Sequence, residues 1–160
     1  MVDDIDNRVD DQVPSWQLAL LLLAGFRDLV DETHRALAEQ GHEGSRPAHG
    51  FALQAIGAGA TTTEVAGRLG VSKQAAAKTV ASLEREGYVE RCGDTADARR
   101  VIVSLTPRGI EFLRLSAVAF DRAAARWRER VGDEAIRQLG ITLGELDLPT
   151  TRFDLAAWSR

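Results

Sequence analysis

A single cysteine, Cys92, in 160 residues cannot close a disulfide within the chain, so the fold must hold by packing, as expected in a reducing compartment. The same shortage removes the paired thiols of a zinc cluster, and His34, His42 and His49 are not spaced as metal ligands along one helix. No metal and no cofactor is expected. A Ser-His-Asp arrangement is missing, and Gly57-Ala58-Gly59 lacks the third glycine and preceding strand of a phosphate-binding loop. Enzymatic chemistry therefore has no footing. The chain also lacks the roughly 18 consecutive apolar residues of a membrane helix, and its opening residues, Met1 to Asp6, are acidic, which argues against a signal peptide. These features place the protein in the cytoplasm. Aromatic residues are few, at 6%, beside 44% hydrophobic and 28% charged residues, which fits a helix-rich globular chain. Its length suits one core, or one lobe whose interface is completed by a second copy.

Positive charge is scarce too: the net charge is −4, an apparent objection to a nucleic-acid partner, because phosphate contacts require Lys and Arg. The deficit is localised. Asp3, Asp4, Asp6, Asp10 and Asp11 against Arg8 give residues 1 to 15 the whole −4, whereas residues 60 to 108 hold eight bases and six acids, a local +2. Any nucleic-acid surface should therefore lie in the middle of the chain and bind in a strongly salt-dependent way.

What that middle contains is two short helices in tandem. Thr61-Thr62-Thr63-Glu64 fits a capping box, in which the threonine hydroxyl accepts from the third backbone N–H and the glutamate reaches back. Leu69-Gly70 predicts its end, through a left-handed glycine, and Ser72 predicts the N-cap of the next helix. Two helices joined by three or four residues including Gly form a helix-turn-helix. On the second helix, Ser72 to Gly87, the residues Ala76, Val80, Leu83 and Gly87 make one apolar stripe expected to pack on Val65, Leu69 and Val71. Gln74, Ala77, Lys78 and Ala81 lie on the opposite side. That stripe is small, polar and basic, as a helix entering a major groove must be, where Gln can pair with adenine and Lys with guanine. A solvated face of an ordinary amphipathic helix would read the same way.

Tyr88 to Cys92 and Val101 to Leu105 are β-branched or alternating runs around a polar loop, Gly93 to Arg100, and predict a hairpin. Helix-turn-helix and hairpin together make a winged helix. The loop would carry Arg99 and Arg100 outward, where a guanidinium can enter a narrow minor groove, and Asp97 could hold Arg99 extended through a charge-assisted hydrogen bond. A charged hairpin loop with no partner is the alternative.

The runs Leu69 to Ala75, Leu83 to Val89, Asp94 to Arg99 and Val103 to Gly109 together resemble the MarR family of bacterial transcription regulators, densely over about fifty residues and more loosely in the flanks. The resemblance implies a homodimer with two winged-helix lobes, a helical dimerisation region built from both chain ends, and often a small-molecule pocket between the two parts. Thr95 stands where many relatives carry Pro, so the wing loop departs from the pattern. Some relatives sense oxidants through a cysteine; Cys92 at the base of the wing reads instead as a small strand residue, with only Arg91 beside it to lower its pKa.

The flanks read as follows. Residues 1–13 form an acidic tail too poor in apolar side chains to pack. Residues 14–45 hold a helix from about Trp16 to Ala38, apolar on more than one face through Leu18, Leu21, Leu22 and their neighbours, followed by a breaker-rich loop in which His42 is expected to be solvated. Residues 46–106 form the winged lobe, opened by a scaffold helix from Ala48 to about Gly57. Residues 107–160 start with the N-cap Thr106 and the first-turn Pro107. Ile110, Leu113, Ala117, Phe120, Ala124, Trp127 and Val131 recur at three and four, a heptad seam, for which intermolecular packing is expected over burial in the same subunit. Ile136, Leu139, Leu143 and Leu146 give one more amphipathic helix, and Phe153, Leu155 and Trp158 a tail expected to fold back.

The fold class expected is mainly α with a small β-hairpin wing. The function expected is a dimeric MarR-type regulator, a repressor, that binds a pseudo-palindromic site on double-stranded DNA and is released by a small-molecule effector; the alternative is a winged-helix protein-interaction module. DNA contacts are assigned to Ser72, Lys73, Gln74, Ala77, Lys78, Arg85, Asp97, Arg99 and Arg100, and dimerisation to Leu18, Leu21, Leu22, Ile110, Leu113, Phe120, Trp127, Leu139 and Leu143. His49 and Arg46 are the candidate pocket residues.

Overall fold

The computed structural model describes residues 13–93 and 100–146. The expectations for the acidic tail, for Asp97 and Arg99 in the wing loop, and for Phe153, Leu155 and Trp158 lie outside the described residues.

The described residues form six helices and one hairpin in the order α1 (Ser15–Ala38), α2 (Pro47–Ile56), α3 (Thr62–Leu69), α4 (Lys73–Arg85), β1 (Val89–Gly93), β2 (Val101–Leu105), α5 (Pro107–Val131) and α6 (Asp133–Glu145). The chain is thus mainly helical with a small antiparallel wing. Helix α2 begins one residue before the expected start, because Pro47 occupies the first turn, where its missing N–H would have no partner anyway. Helix α4 stops at Arg85. Gly87 then takes φ +77°, and Tyr88 N–H bonds back to the Leu83 carbonyl at 2.9 Å, so the chain leaves the helix through a left-handed residue.

The core of the lobe joins Leu37, Leu53, Ile56, Val80, Leu83 and Phe112 with their buried neighbours. Each such side chain contributes about 1.5–3 kcal/mol on burial, against about 1 kcal/mol for a helix cap, so packing holds the lobe and caps set where its helices begin. The hairpin pairs Val89 with Leu105 and Gly93 with Val101. Ala60 is joined to the hairpin by an isolated bridge to Val103, with N–H···O distances of 3.0 and 2.9 Å. Helix α5 enters under the hairpin: the Thr106 hydroxyl accepts from Gly109 N–H at 3.2 Å and donates to the Gly87 carbonyl at 2.6 Å.

Two expectations change here. The seam on α5 is not a single intermolecular stripe. Its buried positions are Gly109, Phe112, Leu113, Ser116, Ala119 and Ala123, a phase set by packing against α1 of the same chain, and the hydroxyl of Ser116 is satisfied by the Phe112 carbonyl at 2.8 Å. Leu113, 3% exposed, belongs to the lobe core, whereas Ile110 and Val131 stay exposed. Trp127 is also anchored within its own chain: its indole N–H donates to the Asp28 carboxylate at 2.7 Å, and the ring lies so close over Gly25 that a Cβ there would meet it at 2.8 Å. His42 is the second change. It is buried at 2% exposure, because the loop folds inward and its ring packs between Tyr88 and Phe112.

Candidate nucleic-acid interface

The helix-turn-helix is set by hydrogen bonds that the sequence anticipates. Thr61 Oγ1 accepts from Glu64 N–H at 3.2 Å, and the Glu64 carboxylate accepts from Thr61 N–H at 2.7 Å and from its hydroxyl at 2.9 Å. Gly70 closes α3 at φ +67°. Ser72 Oγ accepts from Ala75 N–H at 3.2 Å and starts α4, so this hydroxyl caps the helix rather than standing free. Ala76, Val80 and Leu83 are fully buried. Val71, expected to pack with them, is 45% exposed at the turn.

The opposite side of α4 presents Lys73, Gln74 and Lys78 to solvent, with Ala77 half-buried between them. The short Ala77 side chain leaves the backbone approachable. Arg85 is exposed but folded along its own helix, with Nε donating to the Ala81 carbonyl at 3.3 Å and Nη2 to Ser82 Oγ at 3.5 Å. Arg100, expected to extend away from the lobe, instead donates to Glu64 at 3.2 Å. The reason is local: Glu64 is already fixed by the Thr61 backbone and hydroxyl, which, with the cations Arg100 and Arg68, hold its carboxyl below the ordinary range. One acid thereby caps α3 and ties the base of the wing to it.

Two of the bases counted in the local positive charge have internal tasks. Arg68 donates to the Ala55 carbonyl at the end of α2 at 2.6 Å. Arg108 donates to the Gly41 carbonyl at 3.0 Å and lies 5.0 Å from the centre of the Tyr88 ring. Neither contact had a sequence signal, since the partners are 13 and 67 residues apart.

Between α1, α2 and α5 lies a cavity of about 30 Å³ lined by Thr33, His34, Phe51, Gln54, Phe112 and Phe120 among others, room for about two waters. His34 Nδ1 stands 3.0 Å from Ser45 Oγ, and burial lowers its pKa. His49 and Arg46, the candidate pocket residues, do not line this cavity. The ring of His49 is buried with Nδ1 3.6 Å from the Glu86 carboxylate, directed at the end of α4. Phe120 is the reverse case, a residue assigned to dimerisation that faces inward onto this cavity.

A second and larger hollow, of about 500 Å³, opens between α1, α5 and α6; Leu18, Leu21, Leu22, Trp127, Leu139 and Leu143 line it. Leu22 and Leu139 remain 43% and 40% exposed, and α6 buries none of its residues. Six of the nine residues assigned to dimerisation thus converge on one apolar groove. Among the described residues no helix is long and apolar enough to cross a membrane, and no cluster of His, Cys, Asp and Glu is arranged to hold a metal ion.

Residues 47–100 match the model of the MarR family, a span that starts with α2 and ends at the wing. No curated protein matches the sequence. Among solved structures, FabT of Streptococcus pneumoniae in complex with DNA is 21% identical, with a TM-score of 0.70 over 83% of this chain and 94% of that one. A mutant MarR of E. coli complexed with operator DNA is 19% identical, with a TM-score of 0.66 over 82% and 94%. A transcriptional regulator of Thermotoga maritima is 25% identical, with a TM-score of 0.58 over 83% and 92%.

Proposed function

We propose that this chain, whose winged-helix lobe belongs to the MarR family, is a transcription regulator that binds double-stranded DNA as a homodimer and represses the gene it sits on. The observation that carries this reading is the outer face of α4, where Lys73, Gln74 and Lys78 are exposed beside a helix start fixed by the Ser72 cap. A helix held by its buried side and bare on a small, basic side is built to be read against another surface. Gln74 and Lys78 are the base-reading residues, Lys73 and Arg85 reach phosphates, and Arg99 enters the adjacent minor groove. The groove between α1, α5 and α6 is the dimer interface. An effector that enlarges the junction cavity would change the angle between the lobes, and DNA release follows from that.

A dimer that makes roughly six phosphate contacts loses about a thousandfold in affinity between about 50 and 200 mM salt. Gel shifts on fragments flanking its own gene should show this loss. At low salt Gln74→Ala should weaken binding by about tenfold, since a bidentate base pairing is worth about 1–3 kcal/mol. If Gln74→Ala and Arg99→Ala both bind every fragment as the unaltered protein does, the groove assignment is wrong. One observation favours a second reading, a protein-interaction module: the lobe is only weakly positive, and Arg68, Arg100 and Arg108 are engaged internally or along the wing. Absence of any duplex binding at low salt would support that module.

A further inference from the structure

We propose that His42 is a proton-sensitive latch: in its neutral form it holds the end of the recognition helix α4 to the loop between α1 and α2, and protonation opens the latch and weakens DNA binding. The inference rests on the DNA-binding reading above for its consequence, though not for the latch itself.

The latch joins three parts of the chain. His42 Nδ1 is 2.9 Å from the hydroxyl of Tyr88, and Tyr88 is the residue on which α4 turns into β1. The backbone of His42 is fixed as well, its N–H donating to the Leu37 carbonyl at the end of α1 at 3.0 Å. Arg108 of α5 completes the arrangement by bonding the Gly41 carbonyl and covering the Tyr88 ring. A movement of this loop therefore reaches the base of the recognition helix through the His42–Tyr88 hydrogen bond.

The site tolerates the neutral ring and not the charged one. His42 Nε2 is buried and has no hydrogen-bond partner among the described residues. With Nδ1 accepting from the tyrosine, Nε2 carries the proton; with Nδ1 donating, Nε2 is a bare acceptor. A protonated ring needs two acceptors and, among the described residues, finds only the tyrosine oxygen. The rings of Tyr88 and Phe112, at 5.6 and 5.3 Å, keep water away. The charged or titratable groups facing the ring are Tyr88 from the α4–β1 turn and Arg108 and Glu111 from α5. Burial first and Arg108 second hold its pKa below the ordinary 6.5, and Glu111 opposes them.

The sign follows by linkage. With the latch closed His42 resists the proton; with it open the ring titrates near 6.5. The closed form is fully favoured above that value and loses ground as the pH falls below it, by at most about tenfold per pH unit for one group. His49, also buried at the end of α4, behaves differently. Burial, its largest influence, and Arg46 lower its pKa, but the Glu86 carboxylate 3.6 Å from Nδ1 opposes them, a counter-charge in direct reach of the ring nitrogen that His42 lacks.

The test measures the affinity of the full chain for a duplex recovered by selection, at about pH 7.5 and about pH 5.5, the range in which histidine titrates. His42→Asn places an amide near the position of Nδ1 and cannot take a proton. The unaltered protein and His49→Asn should lose several-fold and at most about tenfold in acid, and His42→Asn should stay within about twofold. Equal losses in the unaltered protein and His42→Asn, or no loss in either, overturn the latch. Amide exchange of the unaltered protein, corrected for intrinsic rates, reads the latch without DNA and without a variant. Protection at Tyr88 and Thr106, whose amides bond to the Leu83 and Tyr88 carbonyls, should fall in acid while Val80 stays protected. Unchanged protection at Tyr88 and Thr106 overturns the proposal even if DNA is bound. A protein that binds no duplex but shows this exchange pattern keeps the latch and loses the DNA reading.

Discussion

Leu22→Glu is expected to give a folded monomer with operator affinity reduced by about a hundredfold or more, the scale on which linking two binding modules exceeds one. Leu22 is 43% exposed and lines the groove between α1, α5 and α6, so the lobe core loses nothing when it changes. In the dimer the same position would be covered by apolar side chains, and an unpaired buried carboxylate costs several kcal/mol. The substitution thus separates the two levels of structure. Sedimentation at micromolar concentration should show a dimer for the unaltered protein and a monomer for the variant, with helical content preserved. A stable folded monomer of the unaltered protein would refute the assignment of the groove.

Gly109→Ala should unfold the lobe more than any other single methyl added at a described glycine. A Cβ at this position would stand 2.2 Å from the Tyr88 carbonyl oxygen, the group that accepts from Thr106 N–H at 3.0 Å. Both sides of the contact are backbone, so no rotamer change relieves it. Either α5 moves off the hairpin or the bond at the end of α4 is lost. Overpacking of this kind costs about 1–3 kcal/mol where side chains can yield, and a rigid backbone partner puts the expected loss at about 3 kcal/mol or more. Urea denaturation should show it as a large drop in midpoint at unchanged slope. Gly67→Ala is the control: nothing lies within 4 Å of a Cβ there, and a helical Gly→Ala change should be neutral or stabilise by up to about 1 kcal/mol.

These two sites also show what a sequence conveys and what it withholds. The capping box at Thr61, the left-handed Gly70, the Ser72 cap and the Thr106-Pro107 start were legible because each is a local device, decided by residues within about four positions. The outer face of α4 was legible for the same reason. Helix phase against a distant partner was not. The heptad spacing on α5 suggested one stripe, but two surfaces compete for that helix, and the lobe core took Leu113 while leaving Trp127 and its neighbours to line the groove. The role of His42 was hidden by its setting in a run of glycine and charged residues, which reads as solvated loop. Only its approach to Tyr88, 46 residues away, explains its burial. Charge counting included Arg68 and Arg108 in the local excess of bases, although both are turned to internal carbonyls, because it sees number and not direction.

The central claim is that two copies of α4 read one duplex. Selection from a pool of randomised duplexes tests it most directly. The account predicts enrichment of an inverted repeat whose half-sites are centred about one helical turn, roughly 34 Å, apart, with both halves required for binding. Recovery of a single asymmetric motif bound by one chain, or no enrichment at low salt, would contradict it.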